Sequence, residues 1–422
     1  MFRLLIAACA AALLAGCATT GSAPPVATAA VEVRAPVTIL VSIDGFRPDY
    51  LGKGNTPRLD ALAAGGVSAA MRPSFPSKTF PNHWTIVTGD RPDRHGIVAN
   101  KMEDAARPGE TFTMATDDPF WWNARPPIWV DAEKAGIRTA TMFWPGANVA
   151  WGGERSAKWP NPIIDGTRPQ DWQQFNQAVS LTQRVNGVID WLRRPAKIRP
   201  ALLTLYFDTV DTAGHEYGPA DPRMIAPIAD ADRAIGGLVD GLKELGQPAN
   251  LVILADHGMA ATSSERTIAL DRIAPATDYR IVESGPYASL EPLPGREAAL
   301  ARALVGHHPH MDCWRKAEIP VRFHYGTNPR IPSFLCLADI GWSIVPTAPT
   351  DSYSGGNHGY DNLAPDMAAL FIANGPAFRP AVVLPGFDNV DVYPLLARLI
   401  GIRPEPSDGN PATFDGVLLP DK

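Results

Sequence analysis

The chain has 422 residues, 45% of them hydrophobic, which suffices for one large α/β domain or two medium ones and excludes a chain that is disordered throughout. Its net charge of −6 provides no basic face, so no nucleic-acid polymer is expected as a partner; a locally positive metal site would still attract a small anion. The 42 prolines fit a loop-rich enzyme better than a helical bundle.

The N-terminus reads as a targeting segment. Arg3 precedes an apolar run from Leu4 to Leu14, and Leu14-Ala15-Gly16-Cys17 matches the cleavage box of a bacterial lipoprotein signal. Residues 1–17 are therefore expected to be a signal peptide, with Cys17 as the lipidated first residue of an exported, envelope-anchored protein. An ordinary signal peptide cut nearby is the other reading. The run is too short to span a bilayer. Residues 18–35 are small, Thr- and Pro-containing and nearly uncharged, the composition of a flexible tether.

From Val37 the pattern becomes globular. Val37–Ile43 is a short run rich in β-branched residues, read as a buried strand that ends at Asp44-Gly45. Thr56 to Ala64 reads as a helix, with Thr56 as its cap and Pro57 in its first position. Lys78-Thr79-Phe80-Pro81-Asn82-His83, followed by Trp84-Thr85-Ile86-Val87, reads as another helix start. Thr79 is its cap or first-turn residue, and Pro81 stands where a missing N–H costs nothing. Such a terminus carries free N–H groups and favours a phosphate or an alkoxide, although a Thr before a Pro is most often a plain cap. Asp131–Ala135 is expected to be helical, and Arg138–Phe143 a second strand. Trp144, Trp151, Trp159 and Trp172 follow in a Gly/Pro-rich stretch, as pocket lining or core cover. Phe175–Leu192 predicts an amphipathic helix, Ala201–Phe207 a third strand, Ile228–Leu245 a helix, Leu251–Ala255 a fourth strand and Met367–Ala373 a fifth. Alternating strands and helices predict a mostly parallel sheet with helices on both faces. Between 265 and 350 the pattern loosens into Pro, Gly and short β-like runs, read as an inserted subdomain near the site. Cys313 and Cys336 lie in it, and suggest one disulfide in an exported protein or else two buried thiols.

Ligand-type residues gather at strand ends: Asp44; Asp211 with His215; Asp256 with His257. The glycine-rich loop Ser354-Gly355-Gly356-Asn357-His358 adds a further imidazole. Carboxylate oxygen and imidazole nitrogen are what zinc accepts when no thiolate is present. Asp211 and His215, four apart, share one face of a helical turn. Asp256 and His257 are adjacent, so their side chains are expected to diverge, toward two neighbouring metals or toward one from a bent loop. His307, His308 and His310 lack a strand-end context and carboxylate partners and read as loop residues; His83 and His95 read as structural. Asp44, Asp211 and Asp256 with a Thr79 alkoxide carry about −4, against roughly +4 from two Zn²⁺. Two metals can hold the attacking and the leaving oxygen of an in-line phosphoryl displacement. Thr79 needs that help, because a free hydroxyl is a weak nucleophile. Asn100 offers an amide N–H to a phosphate oxygen.

Asp44-Gly45-Phe46-Arg47, Lys78-Thr79-Phe80-Pro81-Asn82-His83, Arg94-His95-Gly96-Ile97-Val98-Ala99-Asn100, Asp211-Thr212-Ala213-Gly214-His215-Glu216-Tyr217-Gly218-Pro219, Asp256-His257-Gly258-Met259 and His358-Gly359-Tyr360-Asp361-Asn362 together resemble the nucleotide pyrophosphatase/phosphodiesterase family of the alkaline phosphatase superfamily. The similarity spans roughly residues 37 to 415. The resemblance implies an alkaline-phosphatase-like fold, a catalytic domain over 36–420 and two zinc ions. Asp211, His215 and His358 would hold one ion, and Asp44, Asp256, His257 and Thr79 the other. Thr79 would be the nucleophile, passing through a phospho-threonine; Asn100 would bind phosphate; Phe80 would stack on the nucleobase, with Trp159 a candidate for the opposite wall. The implied reaction is hydrolysis of phosphodiester and pyrophosphate bonds of nucleotides with release of nucleoside 5′-monophosphates, by a monomer. Lipid or choline phosphodiesters are the alternative substrates. A monoesterase would want an Arg beside the nucleophile, where this chain has Phe80, although Lys78 precedes it. A non-catalytic metal-stabilised binding protein would lack a ligand or the nucleophile, and none is missing.

Overall fold

A computed structural model of the chain describes residues 32–160 and 162–420; the expected signal peptide, Cys17 and most of the tether lie outside them. The unit that begins at Arg34 is built on an eight-stranded sheet. Across the sheet the strands run Val382–Val383, Val67–Met71, Ala369–Asn374, Ala249–Leu254, Val37–Ile43, Leu202–Phe207, Thr139–Met142 and Asp171–Gln173. Every neighbouring pair is parallel except the two that involve Ala369–Asn374, which runs against both Ala249–Leu254 and Val67–Met71. Val37–Ile43 is central and buried at all seven positions, which explains its unbroken apolar composition.

The helices begin and end close to their sequence signals. Pro57–Ala64 follows Thr56, whose Oγ1 bonds Asp60 at 3.0 Å. Ile128–Lys134 and Ile225–Glu244 extend the expected helices by a few residues. The helix expected from Phe175 starts later, at Leu181. Ser180 and Gln183 form a reciprocal capping box there, so the six residues before it are free to line a cleft. Val67–Met71 is a strand that periodicity alone did not reveal, because Ser68, Ala69 and Ala70 give little β signal. The strand expected over Met367–Ala373 begins at Ala369, after the 3-10 turn Pro365–Met367.

The stretch between 265 and 350 carries a five-stranded antiparallel sheet. Its strands lie in the order Tyr279–Glu283, Tyr287–Pro292, Phe334–Ala338, Met311–Arg315 and Gly306–His308. Side chains alternate across it: Tyr287, Leu335 and Leu337 join the main core, whereas Ala288, Leu290, Phe334 and Cys336 build a second apolar cluster. Cys313 and Cys336 oppose one another on adjacent strands and are disulfide-bonded. The excursion is closed at its neck by a short antiparallel pair, Ala260–Ser263 with Ser354–Asn357. That neck sets His257, three residues before Ala260, beside His358, the residue after Asn357.

Candidate active site

Three adjacent parallel strands deliver the first ligands. Ile43 pairs with Phe207 and Ser42 with Leu254, so Val37–Ile43, Leu202–Phe207 and Ala249–Leu254 end at one level. Asp44 follows the first, its N–H bonded to the Phe207 carbonyl at 2.9 Å. Asp256 and His257 follow the last. The helix Thr209–Tyr217 starts just after Leu202–Phe207 and carries Asp211 and His215 one turn apart, with Nε2 3.4 Å from the carboxylate. A carboxyl edge of a parallel sheet is where the backbone turns outward and side chains of separate loops converge.

Thr79 is the first residue of the buried helix Thr79–Thr88, with extended Lys78 as its cap. Asn82 holds the approach in place, accepting from Ser74 N–H at 2.7 Å and donating to the Pro76 and Lys78 carbonyls. The preceding residues also grip the His358 loop. His358 Nδ1 lies 2.8 Å from the Ser77 carbonyl, Ser77 Oγ donates to the Tyr360 carbonyl, and Lys78 Nζ donates to Asn357 Oδ1 at 3.3 Å. The nucleophile candidate and a ligand candidate 279 residues away are thus fixed to one another through two adjacent backbone positions.

Two ligand clusters result, Asp211–His215–His358 and Asp44–Asp256–His257. In the first, the donor atoms are 3.1 Å (His215 to His358), 3.4 Å and 3.6 Å apart. In the second, His257 Nε2 lies 2.9 Å from Asp256 Oδ2, 3.5 Å from Asp44 Oδ1 and 3.3 Å from Thr79 Oγ1. A tetrahedral ion with bonds of about 2.0–2.1 Å sets its donors roughly 3.3 Å apart. The expectation that Asp256 and His257 diverge is corrected: beyond Leu254 the strand has ended, pleat alternation no longer applies, and both side chains turn into the same cluster.

The donor chemistry fits a cation as well. Nδ1 of His215, His257 and His358 each lies within 2.9 Å of a backbone carbonyl, which places a proton on Nδ1 and leaves Nε2 as an electron-pair donor. Two such nitrogens face one another at 3.1 Å. Asp44 Oδ1, Asp211 Oδ1 and Asp256 Oδ2 are buried without a hydrogen-bond donor. Burial, with the charges of Asp256 and Asp211, pushes the Asp44 carboxyl well above its usual range, and burial raises Asp211 too. Burial, aided by the Lys78 ammonium, holds His358 well below the ordinary imidazole value. Three carboxylates, Asp44 and Asp256 buried and Asp211 half-buried, beside imidazole Nε2 atoms are the electrostatic complement of bound divalent cations.

Above the clusters opens a cleft of about 520 Å³ lined by Asp44, Thr79, Phe80, Asn100, Asp211, His215 and His358, with Trp144, Phe175 and Tyr206 on its walls. Asn100 Oδ1 accepts the Phe80 N–H at 2.9 Å, which orients its amide N–H₂ group away from that contact. Trp159 is not brought there: it is 92% exposed, next to the outlying hairpin Glu154–Arg155 with Ile163–Ile164, and does not line the cleft. Phe175 is the half-exposed aromatic ring in the lining (46%), packed on Phe143 and Tyr206. Sequence reasoning also missed Tyr206, whose hydroxyl donates to Asp44 Oδ2 at 2.7 Å, and Asp208, which is bonded by Arg184 and Gln177. The usable signal was a Tyr inside an otherwise apolar strand, since a buried phenol needs a partner.

The remaining histidines belong to neither cluster, although His83 Nδ1 lies 3.4 Å from Asp256 Oδ2. His83 bonds Ser42 Oγ and the Thr79 carbonyl, and His95 bonds Thr85 Oγ1 and the Ile97 N–H. His307 and His310 do have carboxylate partners, Asp312 and Asp339, contrary to expectation. The hairpin of Gly306–His308 with Met311–Arg315 sets His307 opposite Asp312, and the end of Phe334–Ala338 sets Asp339 beside His310; both pairs are exposed, and no third ligand joins them among the described residues.

A family profile described as type I phosphodiesterase/nucleotide pyrophosphatase matches residues 38–361. Bis(5′-adenosyl)-triphosphatase enpp4 of Xenopus laevis is 37% identical over 378 residues, which cover 89% of this chain and 80% of that protein. Human ectonucleotide pyrophosphatase/phosphodiesterase family member 5 is 36% identical over 378 residues, 88% of this chain and 76% of its own length. Among solved structures, an inactive threonine-to-alanine variant of murine ectonucleotide pyrophosphatase/phosphodiesterase 5 in complex with AMP aligns with a TM-score of 0.84 and 34% identity, over 91% of this chain and 100% of that one.

Proposed function

The chain belongs to the type I phosphodiesterase/nucleotide pyrophosphatase family, with the alkaline-phosphatase-like fold, and from that premise we propose that it releases nucleoside 5′-monophosphates from nucleotide diesters and pyrophosphates through a phospho-threonine on Thr79. Membership makes it a hydrolase of phosphodiester and pyrophosphate bonds. The single observation that carries the finer reading is the placement of Thr79 Oγ1, 3.3 Å from His257 Nε2, at a helix start that opens into the cleft.

Two Zn²⁺ ions suit the donors: Asp211, His215 and His358 would hold one, and Asp44, Asp256, His257 and Thr79 the other. Bound there, they would supply Lewis acidity and lower the pKa of a coordinated hydroxyl. The chain does the rest. Thr79 Oγ attacks phosphorus, the P–O bond to the leaving group breaks, and water later hydrolyses the Thr79 ester. Asn100 presents its amide N–H to a non-bridging phosphate oxygen. Phe80 and Phe175, rather than Trp159, are the aromatic candidates in the cleft lining for holding a base, and the AMP held by the murine relative supports a nucleotide as occupant. Tyr206 and Ser77 hold Asp44 and His358 in orientation. The lipid anchor at Cys17, a place in the bacterial envelope and a monomeric catalytic unit over 36–420 complete the proposal. Among the described residues no helix is long and apolar enough to cross a membrane.

The test is turnover by the purified, zinc-loaded full chain of p-nitrophenyl thymidine 5′-monophosphate, p-nitrophenyl phosphate and p-nitrophenyl phosphorylcholine, with Thr79→Ala as control. Fast cleavage of the nucleotide diester, lost in Thr79→Ala, is expected. Preference for the monoester or the choline ester would overturn the substrate assignment, and full activity of Thr79→Ala would overturn the nucleophile.

A further inference from the structure

The parallel strands have a second edge, opposite the one that carries the site. Val37 is level with Ala249, and Leu202 is level with both Thr38 and Thr139, so the strands that end together also begin together. The residues leading into three of these starts are cationic: Arg34, Arg138 and Arg199. The helix Leu181–Leu192 ends among them, and Arg193, Arg194 and Lys197 follow it.

Contacts join these residues into one surface. Arg34 Nη1 and Arg199 Nε both donate to the Leu192 carbonyl, at 2.9 and 3.0 Å, and Arg199 Nε also to the Arg194 carbonyl at 3.0 Å. Asp171 links Arg138 with Arg194, at 2.9 and 2.8 Å. Arg193 pairs with Asp190, and Lys197 is exposed in the turn Ala196–Ile198. A helix end draws cations to its last carbonyls, and Arg34 and Arg199 fill that role. The others exceed what one helix end requires. The acids at this edge are Asp171, Asp190 and Glu133, whose carboxylate accepts from Thr139. Lys243 and Glu244, just before the Gln247 that accepts from Arg34, offset one another. The edge is thus positive in a chain of net charge −6, and the rest of the molecule is correspondingly acidic.

The seven extended residues Val37–Ile43 set this edge about 23 Å from the ligand-bearing one. That is nearly three Debye lengths at physiological salt, each about 8 Å. An anionic bilayer surface would attract the basic edge and repel the acidic remainder. The cleft would lie outside the screened field, where an anionic substrate is not depleted. Chain connectivity agrees, because the polypeptide enters the folded unit at Arg34 and the anchor proposed at Cys17 is therefore joined to this edge. Ile198, 43% exposed among the cations, adds an apolar contact of the kind peripheral membrane surfaces use. We propose that the basic edge rests on anionic phospholipid headgroups of the membrane that holds the anchor, and so turns the cleft toward solution. The contact requires neither turnover nor the acyl chain.

The test is flotation of the full chain as Cys17→Ser, which carries no acyl group, with vesicles of phosphatidylcholine alone or mixed with phosphatidylglycerol. Any contribution of the N-terminal apolar run is common to every protein compared. One variant combines Arg193→Gln, Arg194→Gln and Lys197→Gln, and leaves Asp171 paired with Arg138. A second combines Lys53→Gln, Arg296→Gln and Arg302→Gln, removing the same charge from exposed positions elsewhere. Thermal melting monitors their folding. Phosphatidylglycerol is expected to strengthen binding of the parent and of the second variant alike, and salt to abolish the gain. Three unpaired cations at such a surface imply a roughly hundredfold effect; Asp190 and Asp171 already offset two of them, so the edge variant should bind anionic vesicles about tenfold more weakly. Equal binding of the parent to both vesicles overturns the proposal, as does an equal loss in both variants, which would reflect net charge alone. Edge-dependent binding to duplex DNA that exceeds binding to the vesicles assigns the edge to a polymer and overturns it too. None of these outcomes bears on the hydrolysis proposed above.

Discussion

Replacing Tyr206 by Phe isolates one hydrogen bond at the base of the site. The ring stays edge-on to His83 at 5.2 Å and to Phe175 at 5.7 Å, so packing is retained. What disappears is the hydroxyl that donates to Asp44 Oδ2 at 2.7 Å. Asp44 Oδ1 already lacks a donor, so the variant leaves both oxygens of a buried carboxylate unpaired in the absence of metal. A hydrogen bond to a charged group contributes ~1.5–3 kcal/mol. Loss of such an outer partner of a ligand commonly lowers metal affinity by about 10–100-fold, which is ~1.4–2.7 kcal/mol, in the same range. The pH dependence follows in sign. Burial and the neighbouring carboxylates raise the Asp44 pKa, and the Tyr206 hydroxyl pulls it back down. In Tyr206→Phe it rises further, a proton competes with the metal up to higher pH, and the affinity deficit widens as pH falls. Zinc competition against a chromophoric chelator, at neutral and at mildly acidic pH, measures both effects. Wild-type affinity at both pH values would refute the assignment of Tyr206 as the partner that orients Asp44.

Gly45 has φ +66°, and a Cβ there would lie 3.1 Å from Asp211 Cα, Cβ and Oδ1. Gly45→Ala is expected to cost about 1–2 kcal/mol from the left-handed backbone alone and to lower bound zinc, read by thermal melting and metal analysis. Lys78→Met keeps the aliphatic packing against Gly359 but removes the donor to Asn357, whose Oδ1 also accepts the His358 N–H. Zinc affinity should fall by about tenfold with the fold intact; an unchanged affinity would show that the Ser77 and Tyr360 contacts suffice. Burial lowers the His95 pKa from 6.5 to about 3. The unfolded chain therefore binds a proton that the folded chain refuses, and stability falls as pH drops from 6.5 toward 3, by about 1.4 kcal/mol per pH unit from this group. Urea midpoints across that window should show a shallower slope in His95→Gln than in the wild type; equal slopes would assign the acid sensitivity elsewhere.

Much of the site was legible along the chain because its parts are local. A β-branched run closed by Asp44, a Thr before Pro81, and Asp211 four residues from His215 are patterns set by backbone sterics and helix periodicity, and they need no knowledge of distant residues. The cap at Ser180 is equally local, but an amphipathic pattern that runs back to Phe175 hides it. What no local signal contained is adjacency. Three strand ends become one edge only because Val37–Ile43 pairs with Ala249–Leu254 on one side and Leu202–Phe207 on the other. The antiparallel course of Ala369–Asn374, the convergence of Asp256 with His257, the Tyr206 bond to Asp44 and the choice of Phe175 over Trp159 as cleft wall were likewise decided in three dimensions. The physical reason is range. Local propensity acts over a few residues, whereas His358 is aimed by a carbonyl 281 positions away, and only the packed core and the need to pair every buried polar group bring the two together.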